Sequence, residues 1–255
     1  MARLVASPST TGVAVDFDGT LAEISPNPEN ARPLPGAVRV LGALSQAFAR
    51  VAVVSGRPVA FLERRLELDV RPLPIELYGH YGLQHRLQDG QVVGPPLEDR
   101  YAESAQAALT EARARAPRGV IVEPKGVALT LHWRVAPEQK DAATALAREL
   151  AVRHGLYARE GKMAIELVPD ADQNKGSAIR SIFSELSAGC VLGDDLGDIP
   201  AFQAARELQR GRDFDAVLVV AASIEVPPEL IELADLQVNG PHGALAFLEA
   251  LSAAA

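Results

Sequence analysis

Short apolar runs recur along the chain at Val13–Val15, Val51–Val54, Ile75–Tyr78, Val191–Leu192 and Val217–Ala221. Each reads as a buried strand followed by a turn, and most of the turns lead into apolar positions at helical spacing. This alternation predicts a parallel sheet covered by helices on both faces, because parallel strands need crossovers and the crossovers bury the sheet. The segment from Ser25 to Gly36 carries Pro26, Pro28, Pro33 and Pro35, so it predicts a loop ahead of a helix over Ala37 to Ala49. His85 to Val93 has the pattern of a hairpin turning at Asp89-Gly90, and Gly94-Pro95-Pro96 then breaks the alternation.

Beyond that break the pattern changes. A helix is predicted over Tyr101 to Arg115, strands over Val120 to Glu123 and Val127 to Arg134, a second helix over Glu138 to His154, and strands over Tyr157 to Glu160 and Met163 to Leu167. The αββαββ order suits an open antiparallel sheet with two helices on one face. Strand-and-helix alternation resumes at Asn174-Lys175-Gly176, which opens a helix predicted to run through Leu186. The Ala-rich C-terminus is expected to fray.

Composition narrows the classes of function. With 255 residues, 48% of them hydrophobic, the chain accommodates a large core domain with a smaller insertion. Its net charge of -8 and isoelectric point near 5.2 argue against nucleic acid or an anionic membrane as partner. No apolar run approaches the roughly 18 residues of a membrane span, and Met1–Ala6 lacks the apolar stretch of a signal peptide, so a soluble, cytoplasmic protein is expected. Cys190 is the one cysteine; it sits in an apolar run and reads as an inert core thiol.

The candidate chemistry lies at strand ends. Asp16-Phe17-Asp18-Gly19-Thr20 follows Val13–Val15, and strand alternation puts Asp16 and Asp18 on one side while Phe17 turns toward the core. Two carboxylates about 4 Å apart repel by roughly 4 kcal/mol at an effective dielectric near 20, which a divalent cation or a shared proton relieves. A lone DxDG is more often a solvated turn. Here a second acidic cluster, Gly193-Asp194-Asp195-Leu196-Gly197-Asp198, follows another apolar run, and both clusters fall where parallel sheets bind ligands. Carboxylates with backbone carbonyls and water suit Mg²⁺, and neither cluster has the spacing of a calcium-binding hand. Ser55-Gly56-Arg57 also follows a strand; Ser55 reads either as an ordinary helix cap or as an anion ligand. Lys175 opposes the dipole of the helix it opens, which a substrate phosphate would reward. Asn174-Lys175-Gly176-Ser177 lacks the preceding glycine of a nucleotide-binding P-loop.

Taken in order, DxDGT, Ser, Lys and GDDxxD resemble the four-part signature of the haloacid dehalogenase superfamily of aspartyl-phosphate phosphotransferases. The stretches DFDGTLAEISPNP, VVSGR, VEPKGVALTLHWR and GKMAIELVPDADQNKGSAI bring the chain closer to the trehalose-phosphatase family, over nearly its whole length. The resemblance implies an α/β, doubly wound parallel-sheet core (residues 1–96 and 173–255) with an inserted α+β cap of the C2B type (97–172). It implies that Asp16 is the nucleophile, that Asp18 protonates the leaving sugar oxygen and then activates water, and that Lys175 offsets phosphate charge. Mg²⁺ would be held by Asp16, the Asp18 carbonyl and Asp194, with Asp195 and Asp198 in support. Thr20, Ser55, Gly56 and Arg57 would contact the phosphoryl group, and Glu123, Lys125, Arg134, Lys162 and Glu166 the sugar. Strand alternation adds that Glu123 and Lys125 share a face, as do Lys162 and Glu166, although an ordinary solvated sheet face explains the same pattern. Trp133 and His132 read as packing residues.

Two departures from the family pattern stand out. The fourth motif usually runs GDDxTDE, whereas Gly197 and Ile199 occupy the threonine and glutamate positions; the segment usually reading His-Gly-x-Glu is Tyr81-Gly82-Leu83-Gln84. The expected activity is Mg²⁺-dependent hydrolysis of trehalose 6-phosphate, a small-molecule sugar phosphate, with a functional link to a trehalose-6-phosphate synthase. The alternatives are a sucrose- or mannosylglycerate-phosphate type of phosphatase on the same scaffold and a catalytically silent phosphosugar sensor. Oligomeric state is not readable from the sequence.

Overall fold

The computed structural model of the chain describes residues 2–25, 27–93, 97–169, 174–224 and 226–255. It divides into two compact units, one made of residues 1–25, 29–93 and 174–255, the other of 26–28 and 94–173. The predicted break at Gly94-Pro95-Pro96 and both expected core–cap boundaries, at 96/97 and 172/173, involve residues outside the described ones.

In the first unit, β1 (Thr11–Val15) runs through the middle of the sheet, parallel to β2 (Arg50–Val54) on one side and β10 (Ala188–Gly193) on the other. β3 (Glu76–Gly79) extends the parallel sheet beyond β2, and β11 (Asp215–Ala222) and β12 (Leu236–Asn239) extend it beyond β10. Two short antiparallel strands, β4 (Gln84–Arg86) and β5 (Val92–Val93), finish the β3 edge. Their hairpin turns where the sequence predicts: Gly90 has φ +91° and the Gln91 amide donates to Asp89 Oδ1.

Every residue of β1 is buried because both faces are covered. Val13 and Val15 pack with Leu41 and Leu44 of α2 (Ala37–Ala47), Leu62 of α3 (Val59–Arg65), Leu4 of α1 (Ala2–Val5) and Leu248 of α9 (Gly240–Ala254). Ala14 faces the opposite layer, formed by Ile179 of α6 (Lys175–Ile182), Phe202 of α7 (Ile199–Gly211) and Leu230 of α8 (Pro228–Leu233). Each fully buried aliphatic side chain contributes about 1.5–3 kcal/mol relative to exposure, so the central strand is strongly held in register. Cys190 is buried in this core, and burial pushes its thiol well above the ordinary range.

The second unit has the predicted αββαββ order: α4 (Leu97–Arg115), β6 (Ile121–Pro124), β7 (Leu129–His132), α5 (Lys140–His154), β8 (Tyr157–Gly161) and β9 (Ala164–Val168). The strands form an antiparallel sheet in the order β6-β7-β9-β8. Leu129, Leu131, Trp133, Ile165 and Leu167 face the helices and pack against Ala108, Ala112, Leu146 and Leu150.

Several boundaries differ from the sequence reading. α6 ends at Ile182 rather than Leu186, because Phe183 leaves the helical path to pack against Phe214, ring centroids 5.5 Å apart. β12 and α8 were not anticipated; the residues of β12 are half-buried or exposed and lack the apolar run that marks the central strands. The C-terminus does not fray as expected: α9 continues to Ala254, anchored by buried Phe247, Leu248 and Leu251.

Candidate active site

The Leu192 carbonyl accepts the Asp16 amide at 3.0 Å, so the ladder between β1 and β10 continues one residue past the strand and brings the two acidic loops side by side. Carboxylate oxygens of Asp16, Asp194 and Asp198 all lie within 4.8 Å of one another, and all three residues are buried. Gly19 makes this approach possible, since its φ is +91° and a Cβ there would lie 2.2 Å from Asp194 Oδ2.

Asp198 organises the second loop. Its Oδ2 accepts the backbone amides of Asp194 at 2.9 Å and Asp195 at 3.2 Å, and its Oδ1 accepts Lys175 Nζ at 2.7 Å. Asp195 Oδ1 accepts the Gly197 amide at 2.8 Å, which closes a reciprocal cap between Asp195 and Asp198 at the start of the following helix. Lys175 opens α6 directly after Asn174, whose side chain caps the helix by accepting the Gly176 amide. Its ammonium also donates to Asp16 Oδ1 at 2.5 Å.

Three buried carboxylates gather around one ammonium in this cluster. At separations near 5 Å and an effective dielectric of about 20, each carboxylate pair repels by about 3 kcal/mol. Burial above all, and then Asp198, Asp194 and Asp195, push the Asp16 carboxyl well above the usual carboxylate range, with Lys175 pulling it down. Burial opposes the charge on Lys175, but Asp16, Asp198 and Asp195 outweigh it and raise the ammonium further. An all-oxygen set of three buried carboxylates this close together fits a hard divalent cation. With both Asp198 oxygens engaged by three donors, Asp16 and Asp194 are the carboxylates suited to hold it.

Asp18 has different partners from Asp16. Arg57 Nε donates to Asp18 Oδ2 at 2.8 Å and Arg57 Nη2 to Asp18 Oδ1 at 3.0 Å, a two-pronged pair, while the buried guanidinium also lies 4.6 Å from the centre of the Phe61 ring. Phe17 turns into the core and meets Phe61 edge-on, as the alternation predicts. Ser55 Oγ accepts the Arg57 amide at 3.1 Å, so Ser55 does cap its turn. Thr20 is buried, with its hydroxyl 3.4 Å from Asp194 Oδ1. Gly56 lies beneath Tyr81, whose hydroxyl would be 2.6 Å from a Cβ at that position.

In the second unit, Glu123, Thr130, Glu166 and Arg159 form one row across the sheet, on the face opposite the helices. Glu123 Oε2 pairs with His132 Nε2 at 2.7 Å, and Glu166 Oε1 accepts Lys125 Nζ at 3.0 Å and lies 3.4 Å from Thr130 Oγ1. His132 is therefore a polar partner of Glu123 rather than a packing residue, while Trp133 does pack in the core. The expected shared face of Lys162 and Glu166 does not follow from alternation: Lys162 lies in the β8–β9 turn, and Met163 at φ +51° interrupts the strand between them. Arg134 lies past the end of β7, next to Trp133, whose amide donates to the Met163 carbonyl.

Sequence reasoning gave no role to Tyr81, Gln84 or Thr130. Gln84 has a definite one: its Oε1 accepts the Val59 amide at 3.0 Å at the start of α3. An amide oxygen serves there as an acceptor, so replacing the family's glutamate leaves the helix start satisfied.

Among known proteins, the trehalose-phosphatase family profile matches residues 14–227. The chain is 32% identical over 238 residues to trehalose-phosphate phosphatase of Mycobacterium marinum, covering 86% of this chain and 59% of that protein. It is 31% identical over 201 residues to trehalose-6-phosphate phosphatase of Escherichia coli, covering 76% of this chain and 73% of the other. The chain spans from 15% to 59% of the length of the mycobacterial relatives it matches. The C-terminal domain of C. albicans trehalose-6-phosphate phosphatase superposes with a TM-score of 0.78 at 22% identity, over 98% of this chain and 94% of that one. Likeness at that identity shows the fold, which is haloacid dehalogenase-like, as the sequence predicts.

Proposed function

The chain belongs to the trehalose-phosphatase family, and from that premise we propose that it hydrolyses trehalose 6-phosphate to trehalose and inorganic phosphate with Mg²⁺. The observation that carries the reading is Asp16, buried at the end of the central strand between Lys175 and the Asp194–Asp198 loop.

In this reading Asp16 attacks phosphorus in line. A bond forms from its carboxylate oxygen to phosphorus as the bond from phosphorus to the sugar oxygen breaks, and Asp18 gives that oxygen its proton. Water then attacks the aspartyl phosphate, Asp18 takes the water's proton, and phosphate leaves with the Asp16 carboxylate restored. Both Asp18 oxygens are held by Arg57, so Asp18 exchanges that partner for the leaving oxygen as it acts. Thr20, Ser55, Gly56 and Arg57 bind the transferring group, and Lys175 neutralises charge on it. Asp16, the Asp18 carbonyl and Asp194 are the residues to hold Mg²⁺, which when bound supplies charge stabilisation to the phosphoryl oxygens. Asp195 and Asp198 keep this set in place.

Residues 1–96 and 173–255 form the catalytic core in this proposal, and 97–172 form a cap that selects the sugar. Glu123, Lys125, Arg134, Lys162 and Glu166 contact the disaccharide hydroxyls. The enzyme works in the cytoplasm on the product of a trehalose-6-phosphate synthase; among the described residues no helix is long and apolar enough to cross a membrane. Catalysis is favoured over a silent sensor because the altered fourth motif keeps its reciprocal Asp195–Asp198 cap and its Lys175 contact despite Gly197 and Ile199.

Phosphate release should be measured across trehalose, sucrose, mannosylglycerate and glucose phosphates, with and without EDTA. Trehalose 6-phosphate should turn over fastest, EDTA should abolish release, and Asp16→Asn should remove turnover while the protein stays folded. Equal rates across the panel would refute the substrate, and an inactive parent that binds the sugar phosphate would establish the sensor.

A further inference from the structure

Tyr81 stands outside every role assigned so far, yet it touches two of the loops that build the site. Three successive residues, His80, Tyr81 and Gly82, have φ of 49°, 59° and 98°. Left-handed conformations cost a non-glycine residue about 1–3 kcal/mol, and adjacent pairs of them persist only where the surroundings hold them. Four hydrogen bonds do so here. The Ser55 amide donates to the Tyr78 carbonyl at 2.9 Å, His80 to Arg57 at 3.0 Å, Tyr81 to Ser55 at 3.0 Å, and Val59 to the Gln84 side chain at 3.0 Å. The strained turn is thus pinned to the Ser55–Arg57 loop at His80 and Tyr81, with a further bond on either side of it.

From this clamp the turn reaches the other two elements of the site. A Cβ at Gly82 would lie 3.5 Å from Ala178 Cβ, in the first turn of the helix that Lys175 opens. The Tyr81 ring covers Gly56, where a Cβ would come 2.6 Å from the hydroxyl and 2.7 Å from Cζ, and it extends to within 3.8 Å of the Cβ position of Gly197. Gly197 sits between Asp195, which caps its amide, and Asp198, which holds Lys175. A Cβ at 197 would lie 3.1 Å from Asp195 Oδ1, a tight approach, and 3.8 Å from the ring, in ordinary contact, so only the further branch of a threonine, where directed at the ring, would overlap it. The two departures from the family pattern therefore meet in space: the large ring is at 81, and the missing side chain is at 197.

We propose that Tyr81 is a positioning residue of the phosphoryl site, its ring wedged between the Ser55–Arg57 and Asp194–Asp198 loops in the room left by Gly197. It fixes the distance between the loop that binds the phosphoryl group and the loop that holds Asp194 and Lys175. This assignment rests on the phosphatase reading above.

The test is a double-mutant cycle with Y81A, G197T and Y81A/G197T, plus Y81F to keep the ring without its hydroxyl. Steady-state kinetics on p-nitrophenyl phosphate with Mg²⁺ give kcat and KM, and beryllium fluoride affinity, read by thermal shift, reports the assembled site without turnover. Loss of such an orienting contact typically costs about 10- to 100-fold, so Y81A should lower kcat by about that factor with KM within about twofold. Y81F should retain most of the turnover. G197T should be impaired, and the double variant should be no more impaired than Y81A alone, since removing the ring makes room for the branch. Fluoride affinity should follow the same order. An unchanged kcat in Y81A, losses that simply multiply in the double variant, or Y81F as damaged as Y81A would overturn the proposal. A parent protein that releases no phosphate would refute the phosphatase reading instead, and the fluoride cycle would still decide the role of Tyr81.

Discussion

Replacing Gly19 with alanine puts a methyl group where the Asp194 carboxylate now sits. A Cβ at residue 19 would lie 2.2 Å from Oδ2, 2.4 Å from Cγ and 2.4 Å from Oδ1 of Asp194, while real Cβ atoms essentially never come within 3.0 Å of such neighbours. The difference, 3.0 minus 2.2, means the carboxylate retreats by at least 0.8 Å. It has little room to do so smoothly, because the Asp194 amide is fixed by Asp198 and the carboxylate lies beside the Thr20 hydroxyl. Misplacement of about 1 Å in a reacting site costs on the order of 100-fold in rate. The backbone adds about 1–3 kcal/mol for a non-glycine residue at such a φ, a fall in Tm of about 2–10 °C for a chain of this size. Gly19→Ala should therefore lose about 100-fold in kcat and need more Mg²⁺ for half-maximal rate, while still melting cooperatively. The assay is phosphate release against Mg²⁺ concentration, paired with a circular-dichroism melt. A variant with parental kcat and parental Mg²⁺ dependence would show that Asp194 is not held where the metal argument needs it.

Asp16 gives a pH prediction with a definite sign. Its folded value lies above the ordinary 3.8, so the stability it contributes is complete below that value and is lost as pH rises through the folded one. As pH rises above 3.8, metal-free protein should lose more Tm than Asp16→Asn, and saturating Mg²⁺, which favours the ionised carboxylate, should remove the difference; parallel curves for the two proteins would contradict the assignment. In the second unit, Glu166→Gln keeps the shape of the side chain and an acceptor for Lys125 but removes the charge. Trehalose 6-phosphate turnover should fall by about tenfold or more while p-nitrophenyl phosphate turnover stays within about twofold, as expected of a contact made to the sugar and not to the phosphoryl group; equal losses would move Glu166 to a structural role.

Much of the core site was legible because the chemistry follows buried strands. Val13–Val15 and Val191–Leu192 announce their strands, and the acidic residues directly after each run fall at adjacent strand ends. Lys175 was legible by its oddity, a cation opening a helix. What escaped reading depended on neighbours distant in sequence. Nothing local says that Tyr81 takes a left-handed backbone, that Gln84 caps a helix 25 residues earlier, or that His132 finds Glu123 across the sheet. Alternation also misled at Lys162, because a turn residue at Met163 resets the count of faces. Helix ends were misjudged for a related reason: Phe183 is drawn out of α6 by Phe214, and tertiary packing decides that boundary rather than propensity.

The placement of β1 between β2 and β10 has a consequence for any attempt to shorten the protein. Until residues 188–193 are present, one edge of the most deeply buried strand lacks its neighbour, and an apolar edge left open invites pairing with other chains. A fragment ending before that point would hold Asp16 and the Ser55 loop yet lack both the partner strand and the loop that follows it. Such a truncation yields an aggregation-prone piece, not a smaller catalyst, and a split version of the protein has to be cut outside this central trio of strands.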